Sequence, residues 1–235
     1  MNFPIRINKY LSQVGFCSRR EADKLLQDHK ILINDKLPEL GAKVNKGDVV
    51  KVNAKVVSPK QDKHVYLIFN KPKGIVCTTD TGVEKDNIID FINYPTRIYP
   101  IGRLDKMSEG LIFLTNDGAI VNKILRARNY HEKEYVVKVN KPITNDFLNK
   151  MSTGVKILDT TTRKCDVKKV NINTFKITLT QGLNRQIRRM CEALDYRVIS
   201  LKRIRIMHVK LDLPLGKYRY FSEDELNQLL NDING

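Results

Sequence analysis

A chain of 235 residues is long enough for one or two domains with buried cores. Its 42 Lys and Arg against 26 Asp and Glu leave a formal charge of +16, which points to a polyanionic partner, nucleic acid above all, held in a salt-dependent way. No apolar run approaches spanning length, no basic helix carries a wide apolar face, and Met1 to Arg6 lack the apolar core of a secretory signal, so a cytoplasmic protein without membrane attachment is expected.

In chain order, residues 6 to 14 place Ile7, Tyr10, Leu11 and Val14 at helical spacing, leaving Arg6 and Lys9 for the other face. Gly15 ends that helix. Ser18-Arg19-Arg20-Glu21 is a capping-box pattern, and the helix it opens turns Ala22, Leu25 and Leu26 inward and Arg19, Arg20 and Lys24 outward. Ile31-Leu32-Ile33 and Val49-Val50-Lys51-Val52 read as short strands joined by turns at Asn34-Asp35 and Gly47-Asp48. By themselves the outward cations serve solvation and RNA contact equally well. Ser58-Pro59-Lys60-Gln61-Asp62-Lys63 has no apolar residue and one proline and reads as a linker, which places a domain boundary after residue 62.

Val65-Tyr66-Leu67-Ile68-Phe69 is an apolar strand closed by the turn Asn70-Lys71-Pro72-Lys73-Gly74. A short helix over Asn87 to Ile92 follows, then the loop Pro100-Ile101-Gly102-Arg103-Leu104-Asp105-Lys106, the run Leu111-Ile112-Phe113-Leu114, and a helix through Ile120, Val121, Ile124 and Leu125. Strands are expected near 133 to 139, 163 to 170, 174 to 180 and 197 to 206, and helices near 144 to 151 and after the capping box Ser222-Glu223-Asp224-Glu225. This mixture lacks a regular βαβ rhythm and predicts an α+β domain.

Cys17, Cys77, Cys165 and Cys191 stand far apart and the four histidines are scattered, a pattern that fits neither a metal site nor a disulfide framework. Walker and G-x-G-x-x-G turns are absent, so neither a cofactor nor a metal is expected.

Three stretches invite chemistry. Asp105 lies between Arg103 and Lys106, whose charges favour its ionised form; it reads either as a nucleophile or base, or as a loop carboxylate paired with its neighbours. Tyr135 opens a strand after Lys133 and reads by itself as a packing residue. In Gln181-Gly182-Leu183-Asn184-Arg185-Gln186-Ile187-Arg188-Arg189-Met190, Asn184 can cap a helix that puts Arg185, Arg188 and Arg189 on one face and Ile187, Met190, Cys191 and Leu194 on another. Alternation in Leu201 to Ile206 then sets Arg203 and Arg205 opposite Ile204 and Ile206, as RNA contacts or as edge charge.

Gly102-Arg103-Leu104-Asp105 with Ser108 and Gly110, Lys133 with Tyr135, and Gln186-Ile187-Arg188 resemble, in order, the three motifs of the RsuA-type RNA pseudouridine synthases. Asn8-Lys9-Tyr10-Leu11 and Cys17-Ser18-Arg19-Arg20-Glu21-Ala22 resemble the S4 RNA-binding domain. The resemblance spans nearly the whole chain and is nearest the RluF-type branch, whose members modify large-subunit ribosomal RNA. It implies an S4-like domain with its linker over 1–62 and a catalytic domain over 63–235, the latter a mixed, mostly antiparallel sheet flanked by helices. It further implies a cofactor-free isomerase in which Asp105 is catalytic, Tyr135 stacks on the target base and Arg188 pairs with Asp105. Arg6, Lys9, Arg19, Arg20, Lys24, Arg103, Lys133, Arg185, Arg189, Arg203 and Arg205 are the candidate RNA contacts. The expected partner is 23S ribosomal RNA, with a transfer RNA as a second substrate, bound by a monomer. The competing class is a noncatalytic S4-type ribosome-assembly factor, which would need the cations but not the three site residues together.

Overall fold

A computed structural model describes residues 3–58 and 64–234. The chain divides into two compact units, Met1–His64 and Val65–Gly235. The expected linker falls, apart from Ser58, outside the described residues.

The first unit runs β1 (Ile5–Arg6), α1 (Ile7–Gln13), α2 (Arg19–Gln27), β2 (Ile31–Ile33), β3 (Lys43–Val44), β4 (Val50–Val52) and β5 (Lys55–Val56). Ser18 caps α2 by accepting from Glu21 N while Glu21 reaches back to Ser18 N, the reciprocal bond the sequence predicts. Ile7, Tyr10, Leu11, Ala22 and Leu26 pack with Ile31, Val44, Val50 and Val52. Arg6, Lys9, Arg19, Arg20 and Lys24 are exposed.

The second unit contains β6 (Tyr66–Lys71), α3 (Ile88–Ile92), β7 (Tyr99–Ile101), β8 (Glu109–Thr115), α4 (Gly118–Leu125), β9 (Lys133–Val139), α5 (Asn145–Thr153), β10 (Lys156–Ile157), β11 (Thr160–Thr161), β12 (Asp166–Asn171), β13 (Thr174–Leu179), α6 (Gln186–Glu192), β14 (Val198–Ile206), β15 (Val209–Lys210), β16 (Tyr218–Tyr220) and α7 (Glu223–Asn234). Its 9-stranded sheet has the order β12-β13-β9-β14-β8-β6-β16, with β15 on β14 and β7 on β8. Among the described strands of this sheet only β8 and β14 pair in parallel, so the sheet is mixed and mostly antiparallel and the architecture is α+β, as the sequence predicts.

The run Leu111 to Leu114 is buried throughout because β8 is central and covered on both faces. Ile112 and Leu114 join the core under α3, α5 and α6, while Leu111 and Phe113 join the core beneath α4 and α7. Leu229 of the terminal helix seals that second core, a packing role consistent with its acidic outer face.

Candidate active site

The loop between β7 and β8 is shaped by Gly102, whose φ of +82° suits glycine and whose added Cβ would lie 2.9 Å from Leu125 Cδ2. Two residues on, buried Leu104 anchors the loop, and its N–H donates to Cys77 Sγ at 3.4 Å. Asp105 is thereby turned outward, its side chain 35% exposed. Ser108 N donates to Asp105 O at 3.0 Å and Gly74 N to Lys106 O at 2.8 Å, which fixes the turn that carries the carboxylate.

Lys106 does not flank Asp105 electrostatically as expected. Its Nζ bonds Glu84 Oε1 at 2.8 Å, a contact that raises its pKa, so its charge is spent on the neighbouring loop. Two cations absent from the local sequence take its place. Arg188, its side chain 11% exposed, brings Nε to 3.7 Å from Asp105 Oδ2, and its Nη2 donates to Met107 O at 3.2 Å and Ser108 Oγ at 3.3 Å. Lys71 is 0% exposed and donates to Ser108 O at 2.8 Å and Pro72 O at 2.9 Å. Burial lowers its pKa, opposed by the nearby Cys77 and Asp105. Guanidinium and ammonium thus grip the same turn from two sides.

Helix α6 corrects the expected arginine stripe. Asn184 does not cap it: Arg185 occupies that position in a left-handed conformation (φ 49°), and Asn184 O and Oδ1 accept from Arg189 at 3.1 and 3.2 Å. Gln186, Ile187, Arg188, Met190 and Cys191 are all buried, so Arg188 faces inward with the apolar residues. The reason is tertiary: Arg188 meets Met107, Ser108 and Asp105 of a turn distant in the chain, and of the three arginines only Arg185 is exposed. Arg103 is likewise exposed.

Tyr135, 9% exposed, sits on central strand β9 between Ile177 and Arg203. It shares a core cluster with Leu104 and Ile187, the chain neighbours of Asp105 and Arg188, so all three motifs converge on one face of the sheet. The other basic residues of this region do not present themselves to RNA as predicted. Lys133 Nζ bonds His131 O at 3.2 Å, and burial, aided by Arg203, brings its pKa down to about 8. A bulge between Arg203 and Arg205, which oppose Tyr135 and Glu134, breaks the assumed alternation. Arg203, ahead of the bulge, keeps the covered face of Leu201 and is 4% exposed beside Tyr135, whereas Arg205, beyond it, is held by Glu132 at 2.9 Å and Glu134 at 3.0 Å. The roles of Lys71 and Cys77 and the burial of Arg203 are not legible in the sequence: Asn70 and Lys71 read there as the turn after the apolar run Val65 to Phe69, whereas β6 continues through Lys71 and buries both.

The turn that carries Asp105, the buried arginine that meets it and the strand that carries Tyr135 all lie within residues 65–193, and the chain belongs to the RNA pseudouridine synthases: residues 65–193 match the family model described as RNA pseudouridylate synthase, and residues 5–50 that of the S4 domain. It is an isomerase of uridine in RNA. The chain is 56% identical over 232 residues to the dual-specificity RNA pseudouridine synthase RluF of Salmonella typhi, covering 98% of this chain and 80% of that protein. It is 56% identical over 231 residues to the protein of the same name from Escherichia coli (strain K12), covering 97% and 79%. Ribosomal large subunit pseudouridine synthase B of Bacillus subtilis (strain 168) is 34% identical over 233 residues, 95% of each chain. A crystal structure of a pseudouridylate synthase superposes with a TM-score of 0.70 at 25% identity, covering 96% of this chain and 99% of the other. Among the described residues no helix is long and apolar enough to cross a membrane.

Proposed function

We propose that this enzyme, as a cytoplasmic monomer, converts a specific uridine of 23S ribosomal RNA to pseudouridine and acts on a transfer RNA as well. The observation that carries the chemistry is the approach of Arg188 to Asp105 at 3.7 Å, on a turn otherwise tied to buried donors. The substrate assignment leans on the names of the relatives, one set dual-specificity and one acting on the ribosomal large subunit.

The target uridine leaves its stack, as bases must for chemistry on their ring atoms, and lies against Tyr135. Asp105 promotes cleavage of the N1–C1′ bond, either by attack at the sugar, from which C5 later displaces it, or by taking a sugar proton that it returns once the new bond has formed. The electron pair stays with the uracil, which turns so that C5 joins C1′. Loss of the C5 proton and protonation of N1 complete a net isomerisation that needs no cofactor. Arg188 holds the carboxylate in place, and exposed Arg103 holds the displaced nucleotide. The S4-like domain with its linker, residues 1–62, adds affinity through Arg6, Lys9, Arg19, Arg20 and Lys24, while Arg185 meets the phosphates near the site. Residues 63–235 carry the catalysis.

The test is Asp105→Asn, which keeps size and polarity but not charge. It should retain the fold and most RNA affinity and abolish single-turnover conversion of unmodified 23S RNA, because an amide neither attacks the sugar nor takes its proton. Undiminished conversion by this variant refutes the assigned role. Absence of conversion by the wild type on 23S RNA, with activity on another RNA, refutes the substrate.

A further inference from the structure

Arg203 is a cation in the wrong place for a structural residue. It lies in a cross-strand row, Lys71 (β6), Gly110 (β8), Arg203 (β14) and Tyr135 (β9), each residue directly opposite the next. Directly opposed residues stand on the same face, so Arg203 shares Tyr135's face. Gly110 is what allows the row to close up: at φ +110° an added Cβ would stand 2.2 Å from Arg203 O. The Arg203 guanidinium sits 6.0 Å from the centre of the Tyr135 ring, and Nε donates to Leu111 O at 2.6 Å. Its Nη2 is buried and has no hydrogen-bond partner.

No carboxylate lies within ion-pair distance of this guanidinium among the described residues, whereas Arg188, Arg205 and Arg219 each have one. The groups that feel its charge are Lys71, Lys133 and the Cys77 thiol, on which Leu104 and hence the Asp105 turn rests. An uncompensated buried cation among cations is costly. A fold that needed only packing there would be served better by an apolar side chain.

We propose that Arg203 is a positioning residue of the active site that braces Tyr135 and supplies a fixed positive field for the uracil anion released when the N1–C1′ bond breaks. This rests on the placing of Asp105 and Tyr135 in the site. The electron pair of that bond leaves with the base whichever first step Asp105 takes, so negative charge develops beside Tyr135. A preformed, water-excluded charge stabilises it without reorganisation. The field costs the fold stability and contributes where the reaction needs it.

The experiment compares wild type, Arg203→Met and Arg203→Lys by single-turnover kinetics at saturating RNA, with RNA affinity and thermal unfolding measured alongside. Two versions of one RNA are used, with uridine or 5-fluorouridine at the target. Fluorine makes the departing base a more stable anion and blocks proton loss at C5, so consumption of the nucleoside reads bond cleavage. Arg203→Met should fold with an unchanged or raised midpoint, bind RNA as wild type does, and cleave uridine about 100-fold more slowly, with a distinctly smaller defect on 5-fluorouridine. Arg203→Lys, which keeps the charge, should stay within about tenfold of wild type. A folded Met variant with the wild-type rate, or with equal defects on both bases, overturns the proposal. Should the Met variant not fold, a folded Lys variant slowed equally on both bases by more than about 100-fold overturns it. Asp105→Asn on the same RNAs separates the two readings: if that variant remains active, the site assignment fails rather than the role of Arg203.

Discussion

Replacing Arg188 by Ala removes three contacts at once, and their sizes differ because their surroundings differ. The ion pair joins a nearly buried guanidinium to a carboxylate that is 35% exposed, at 3.7 Å. A pair at that separation attracts by about 4 kcal/mol at an effective dielectric of 20, but exposed pairs retain about 0–1 kcal/mol, so half-open Asp105 places this one at about 1–2 kcal/mol. Loss of the donor to Met107 O costs little, since Met107 is exposed and its carbonyl can be rehydrated. Ser108 is buried, and its hydroxyl, left without Arg188 Nη2, contributes about 1–2 kcal/mol more. The expected total is about 3 kcal/mol, below what a fully buried pair would give. Amide hydrogen exchange in β8 and α6 reads this locally, without interference from the other unit. A double-mutant cycle with Asp105→Asn should return a coupling of about 1–2 kcal/mol. Coupling below about 0.3 kcal/mol would refute the reasoning, because additivity to that level marks residues that do not interact.

Lys133, with its pKa at about 8 in the fold against an ordinary 10.5, pays to stay charged below pH 8. Between those values the folded protein gives up the proton before the unfolded chain does, so stability should rise with pH through that window, by on the order of 3 kcal/mol, relative to Lys133→Met; parallel stability profiles for the two proteins would show that the lysine is not desolvated. Gly110→Ala places a Cβ 2.2 Å from Arg203 O at φ +110°, and the parallel β8–β14 contact should open at a cost of about 3 kcal/mol or more. Urea unfolding checks it, and a midpoint equal to wild type would mean that the two strands are not in this register.

Local patterns determined much of this molecule. Ser18 and Glu21 cap one another, Ser222 and Glu225 do the same, and the apolar runs of β6 and β8 lie in the sheet interior, because caps and continuous burial depend on neighbours in the chain. The order of the motifs around Asp105, Tyr135 and Arg188 was likewise legible, since a motif is a string. What only the tertiary structure decided is where each charge points. Lys106 stands next to Asp105 in sequence yet bonds Glu84, while Lys71 and Arg188, 34 and 83 positions away in the chain, hold the turn. Both faces of β14 are covered, so the alternation that sets Arg203 with Leu201, opposite Tyr135, takes it into the interior, and the packing of α6 on the sheet turned Arg188 inward against its helical stripe. Long side chains reach several ångströms in any direction, and which carboxylate or carbonyl they meet depends on strands brought together from distant parts of the chain; periodicity carries no record of that.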